Sequence, residues 1–89
     1  MIQNRRQGFV GIPDEDLVDR AQKGDQAAFA ELVERHYNSC TKLALSILRD
    51  KSDAEDEVQN ACWKAFEHLK QFNREAKFST WLTRIVVNQ

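Results

Sequence analysis

Between Trp63 and Arg84 the chain interleaves five of its eight aromatic residues, Trp63, Phe66, Phe72, Phe78 and Trp81, with Lys64, Lys70, Arg74, Lys77 and Arg84. That mixture suits single-stranded nucleic acid. Aromatic faces accept an unstacked base for roughly 1–3 kcal/mol each, while cations follow the phosphates. The competing reading is a hydrophobic core, because a domain this small must bury at least two of Phe66, Phe78 and Trp81. Composition alone leaves the two readings level.

Other chemistry is weaker. There is no Gly-rich phosphate loop, no HExxH and no nucleophile beside a base, so the reading is of a recognition protein and not an enzyme. His36, Cys40, Cys62 and His68 are of the types that bind zinc. However, both cysteines fall in apolar stripes where a small hydrophobe is wanted, and His68, six residues from Cys62, does not share its helix face. No metal or other cofactor is expected. Asp53, Glu55, Asp56 and Glu57 are carboxylates of a divalent-metal kind, but consecutive acids at a helix start more simply stabilise its dipole or face a partner.

The elements that must position these residues are helices. The chain has three Gly, one Pro and few β-branched residues before Ile85-Val86-Val87, which argues for an all-α fold. Residues 1–13, with adjacent Arg5 and Arg6 and no periodicity, are expected to form a flexible arm. Pro13 precedes an acid-rich first helix in "DEDLVDRAQKG", which Gly24 stops. Asp25 can cap a long second helix, whose Phe29, Leu32, Val33, Tyr37, Cys40, Leu43, Ala44, Ile47 and Leu48 recur at spacings of three and four. "RDKSD" interrupts that pattern, and Ser52 with Glu55 has the form of a capping box for a third helix. Its stripe is Val58, Ala61, Cys62, Ala65, Phe66 and Leu69, with Phe72 as a last anchor. "NREAK" is too polar to continue it. Ser79 can cap a fourth helix that buries Leu82, Ile85 and Val86, and Trp81 is read as core. The expected architecture is a compact bundle of three to four helices: a short first helix, two long antiparallel ones, a loop and a fourth helix. That fourth helix has no stop signal before Gln89, so the chain is expected to be a piece of a longer protein.

With 89 residues the chain has material for one small core, burying roughly 60% of its unfolded surface. No apolar run is long enough to span a membrane and "MIQNRRQGFVG" has no apolar signal core, so a cytoplasmic protein without membrane insertion is expected. Cys40 and Cys62 form neither a CxxC pair nor a disulfide framework and read as buried thiols. The net charge of −1 conceals a gradient: residues 14–60 hold twelve acids against six bases, and residues 61–89 hold five bases against two acids. An acidic middle and a basic end suggest partners of opposite sign, one of them a polyanion.

The order of the residues carries more than their types. "DEDLVDRAQKGDQAAFAELVERHY", then "DAEDEVQNACWKAFEHLKQF", then "AKFSTWLTRIVVNQ" closely resembles region 2 of bacterial sigma factors of the extracytoplasmic-function group, over residues 14–89. Each motif is degenerate by itself; their order and spacing together are specific. The resemblance implies a transcription initiation factor that directs core RNA polymerase to promoters. In the family the third helix docks on the clamp helices of the largest catalytic subunit. Asp53, Asp56, Glu57 and Gln59 match that surface, and Asn60 departs from an acid common there. The physics is compatible, since an acidic helix face steers a basic partner.

The resemblance further implies that the loop after the third helix and the start of the fourth read the minus-ten element by trapping a flipped-out base of the non-template strand. By position, Lys64, His68 and Phe72 would border the pocket, Asn73 to Lys77, including Arg74, would form the capturing loop, and Arg84 and Asn88 would face DNA. Flipping costs a few kcal/mol, repaid by a fitted pocket. Many relatives have Arg-Gly where this chain has Asn73-Arg74, and Arg74 restricts a backbone that Gly would leave free. Thr83-Arg84-Ile85 stands where housekeeping relatives carry adjacent tryptophans that assist melting. Full-length members add a C-terminal helix-turn-helix region, which these residues do not supply, and many are held inactive by an anti-sigma factor. The alternative is a degenerate sigma-like interaction module that no longer reads DNA.

Overall fold

The computed structural model describes residues 8–88, and within them the chain folds into four α-helices. They are α1 (Asp14–Gln22), α2 (Gln26–Leu48), α3 (Lys51–His68), which runs into a single 3₁₀ turn (Leu69–Gln71), and α4 (Phe78–Val87). The expected all-α bundle is the observed one.

Gly24 and Asp25 act together at the first boundary. Gly24 adopts φ 103°, its N–H donates to Ala21 O at 3.0 Å, and the Asp25 N–H reaches back to Arg20 O at 3.0 Å. This pair of bonds is a Schellman ending, for which a left-handed glycine is the usual solution. The Asp25 carboxylate then accepts from Ala28 N at 3.1 Å and opens α2. One glycine and one aspartate thus turn α1 into α2.

The next boundary differs from expectation. Asp50, not Ser52, caps α3: its carboxylate accepts from Asp53 N at 2.9 Å, and Ser52 lies inside the first turn. The reason lies in Arg49, which takes a left-handed conformation with φ 62° and donates its N–H to Leu45 O. The chain reverses there within two residues, so α3 begins earlier than the capping-box pattern implies. Ser79 is likewise not a cap. α4 starts one residue before it, at Phe78, whose ring is buried. Burial of that ring draws the helix start forward.

α2 and α3 form the main antiparallel pair, with α1 across α2 and α4 against α3 and α2. Small residues make the close approach possible: Ala28, Ala44, Ala54, Ala61 and Ala65 are all buried. Leu17, Leu32, Val58 and Leu82, one from each helix, are the largest fully buried side chains and mark the centre of the core. The apolar stripes are wider than the core they serve. Ile47 and Leu48 are exposed at the end of α2, and Phe66 is 40% exposed on α3.

The arm expected over residues 1–13 is in part docked. Phe9 is buried and Ile12 packs against the core, while Arg35 of α2 donates to Phe9 O at 2.8 Å and Ile12 O at 2.6 Å. The same guanidinium meets Asp14 at 3.1 Å and Glu31 at 2.8 Å. Its charged form is reinforced first by the Glu31 bond and then by Asp14, against a desolvation cost. The remainder of the expected arm lies outside the described residues. No described helix is long and apolar enough to cross a membrane.

Candidate nucleic-acid interface

The last two turns of α3 and the outer face of α4 enclose a cleft of about 360 Å³ lined by Lys64, His68, Trp81, Arg84, Ile85 and Asn88. The helical repeat explains the convergence. Lys64 and His68 are four apart on α3, and Trp81, Arg84, Ile85 and Asn88 follow at three- and four-residue intervals on α4. Four residues expected to face DNA therefore share one cleft, with two cations at its rim. His68 Nδ1 lies 3.2 Å from Gln71 Oε1, which orients the ring.

Trp81 is half-buried in this cleft and stacks on Phe72, with ring centroids 4.7 Å apart and an interplanar angle of 24°. Phe72 itself is only 6% exposed and meets Phe78 edge-on at 6.2 Å. It is a supporting layer beneath Trp81, not an open face for a base. Trp81 stands between core and surface, so the division of aromatics into core or contact does not apply to it.

The loop from Asn73 to Lys77 follows Phe72 in the chain. Asn73, Arg74 and Lys77 are exposed. Asn73 bonds within the loop, donating to Glu75 Oε1 at 2.7 Å and accepting from Glu75 N at 3.2 Å. Arg74 has φ 65°. Its guanidinium turns back to α1, donating to Gln22 Oε1 at 2.9 Å and lying 3.4 Å from Asp19. Gln22 in turn donates to Leu69 O at 3.0 Å and Phe72 O at 2.9 Å. Arg74 and Lys77 line a separate cleft of about 300 Å³ shared with Asp14 and Glu15 of α1. The residues expected around one pocket thus line two clefts, and Phe72 lines the one that holds Arg74 and Lys77. Nothing in the spacing of "DRAQKG" pointed to Gln22.

The acidic head of α3 presents Asp53, Asp56 and Gln59 to solvent, with Glu57 half-buried. Gln59 also borders an open apolar groove of about 730 Å³ between α2 and α3, lined by Phe29, Val33, Tyr37, Cys62, Trp63 and Phe66 among others. Trp63 is 63% exposed and stacks on Phe66 at 5.8 Å, and Phe66 meets Phe29 edge-on at 5.3 Å. The signal was present in the sequence, because Trp63 falls outside the α3 stripe, and a tryptophan off-stripe on an amphipathic helix must face outward. Trp63 and Trp81 therefore belong to different surfaces.

The residues weighed as zinc ligands are engaged elsewhere. His36 Nε2 lies 2.7 Å from Asp14 Oδ2, and among the described residues no group of three or more His, Cys, Asp and Glu is arranged to hold a metal. Burial pushes the Cys62 thiol up to about 11 and raises Cys40 as well, so both sit as neutral, small apolar groups.

Residues 32–89 match the family model for sigma-70 region 2. An NMR structure of an engineered region 2 of sigmaE in complex with GTAAAA superposes with a TM-score of 0.82 at 43% identity, covering 89% of this chain and 82% of that one. The chain belongs to the sigma-70 region 2 family. Among its relatives, the ECF RNA polymerase sigma-E factor of Escherichia coli K12 is 43% identical over 77 residues, 86% of this chain and 40% of that protein. The RNA polymerase sigma-H factor of Pseudomonas aeruginosa is 37% identical over 75 residues, 84% of this chain and 39% of that protein. This region 2 chain spans about two fifths of the curated relatives it matches.

Proposed function

We propose that this region 2 chain reads the non-template strand of a promoter's minus-ten element and docks on core RNA polymerase. The observation that carries the reading is the convergence of Lys64, His68, Arg84 and Asn88 around the half-exposed Trp81. Cations at the rim, an aromatic ring at the floor and hydrogen-bonding side chains at the edge are what a strand with one unstacked base requires. A region 2 relative of similar fold has been solved in complex with GTAAAA, and a ligand of that kind fits this cleft.

Docking on polymerase uses the N-terminal half of α3, which adjoins the DNA cleft: Glu57 and Asn60 line a pocket with Lys64. Gln59 borders the groove that holds Trp63 and Phe66, and Asp53, Asp56 and Glu57 lie on the preceding turns of α3, so charge and apolar area follow one another along the helix. A helical partner with basic and apolar faces is complementary to both, and the clamp helices of the polymerase's largest subunit are the proposed partner. An anti-sigma factor would act by covering these surfaces.

Titration of the chain with the GTAAAA hexanucleotide tests the DNA reading. With Trp63→Phe as background, only Trp81 reports, and its fluorescence is expected to change in a salt-dependent manner. Lys64→Ala and Arg84→Ala should each weaken binding and reduce the salt slope by about one. No response from the chain alone or with core polymerase would favour the interaction module without DNA reading. For docking, a polymerase pull-down that survives Asp56→Ala with Gln59→Ala at full strength would refute the proposed face.

A further inference from the structure

The base-reading loop is short of internal support. Between Phe72 and Phe78 its side-chain bonds to itself are the Asn73–Glu75 pair, and it must hold Arg74 at φ 65°, a region that costs an L-residue roughly 1–2 kcal/mol. The missing support comes from α1, about fifty residues earlier in the chain. The Gln22 amide gives one N–H to Leu69 O and the other to Phe72 O, and its oxygen accepts from Arg74. The amide orientation is unambiguous, because two carbonyls can only accept. Asp19, one turn earlier, holds the same guanidinium nitrogen.

We propose that Gln22, assisted by Asp19, is a positioning residue for the minus-ten loop, and that Arg74 belongs to this clamp and does not contact the DNA backbone. The inference rests on the DNA reading above. Gln22 is suited to the task by its inventory of groups: two donors and one acceptor on a two-carbon stem. Glutamate lacks the donors, methionine lacks both and asparagine is one methylene short. The direction of Arg74 follows from its surroundings. Asp14 and Glu15 line the same cleft, and together with Asp19 they make a setting that attracts a guanidinium and repels phosphate. The DNA cations Lys64 and Arg84 lie in the other cleft. In relatives with glycine at this loop position the backbone turns without strain. Here the side chain that strains it is also the one that α1 grips.

The test uses the 89-residue chain, GTAAAA and its single-base variants, and amide exchange of residues 73–77 without DNA. Gln22→Met and Gln22→Glu are expected to speed exchange in the loop several-fold and to shrink the spread of affinities across the hexamers, with the salt slope unchanged. Arg74→Ala should also leave the slope unchanged. Asp50→Ala, which weakens the distant α2–α3 turn, serves as the control and should preserve the spread. A slope lowered by about one in Arg74→Ala would show a phosphate contact and overturn the assignment. Native loop exchange in Gln22→Met, or an equal loss of discrimination in Asp50→Ala, would overturn the clamp. Failure of the native chain to bind any hexamer would count against the DNA reading instead, and the exchange measurement alone would then decide the clamp.

Discussion

Arg49 and Arg74 share a backbone conformation, with φ 62° and φ 65°, and are held in it by different means. Arg49 lies between two long helices. Its N–H closes α2 on Leu45 O, and Asp50 opens α3 at once, so neighbours in sequence maintain the turn. Arg74 lies between a 3₁₀ turn and a short helix and is held by side chains more than fifty residues away. A locally held turn keeps its shape as long as its helices exist. The second keeps its shape only while α1 is in place, so the part of the molecule assigned to reading sequence is the part most dependent on tertiary contacts.

The largest predicted effect comes from removing the support under the second turn. Phe72→Ala takes a buried ring from beneath Trp81 and should destabilise the chain by about 3–5 kcal/mol, read as a shifted urea midpoint. If the loss stays within that of a surface substitution, Phe72 is not the layer that supports Trp81. Next in size is the cap of the first turn. Asp50→Ala should cost about 1 kcal/mol in the same measurement, and Ser52→Ala close to nothing; the reverse order would restore the capping box expected from sequence. Smaller again is the contrast between two glycine substitutions. Arg49→Gly relieves the left-handed backbone and should stabilise by roughly 0.5–1 kcal/mol. Arg74→Gly relieves the same strain but gives up the bonds to Gln22 and Asp19, so its net gain should be smaller or absent. Equal gains would mean that the clamp contributes nothing to stability.

The smallest effect is electrostatic. Lys23 first, and Arg74 second, hold the Asp19 carboxyl below its ordinary value of 3.8. A lowered folded-state value means that the contribution is present above the ordinary value and is lost as pH falls through the folded one. Acidification below about pH 4 should therefore release the Arg74 loop a little before the rest of the chain, as faster amide exchange at residues 73–77. Because Asp19 is exposed and screened, salt should abolish the difference.

These two turns also show how far a sequence can be read. The Gly24-Asp25 boundary was recoverable because every bond that makes it lies within six residues. The extents of α2 and α3 followed from periodicity, and the acidic and basic ends from simple counting. Periodicity does not show how wide a stripe the neighbours cover: Ile47, Leu48 and Phe66 lie on the apolar stripes and are nevertheless exposed. Ser52 competed with Asp50 for one cap, and the choice depended on where Arg49 could reverse the chain. Gln22 left no local trace, because its three partners lie 47 to 52 residues away.

The grip of Arg35 on Phe9, Ile12 and Asp14 has a consequence for synthesis. A chain leaving the ribosome from its N-terminus presents Phe9 long before the middle of α2 exists to receive it. The first packed segment must therefore wait for the guanidinium that fixes it, and Gln22 waits longer still, until Leu69 and Phe72 have emerged. Two early segments are thus completed by late arrivals, and a nascent chain that has emerged from the ribosome as far as about residue 60 should hold the first contact without the second.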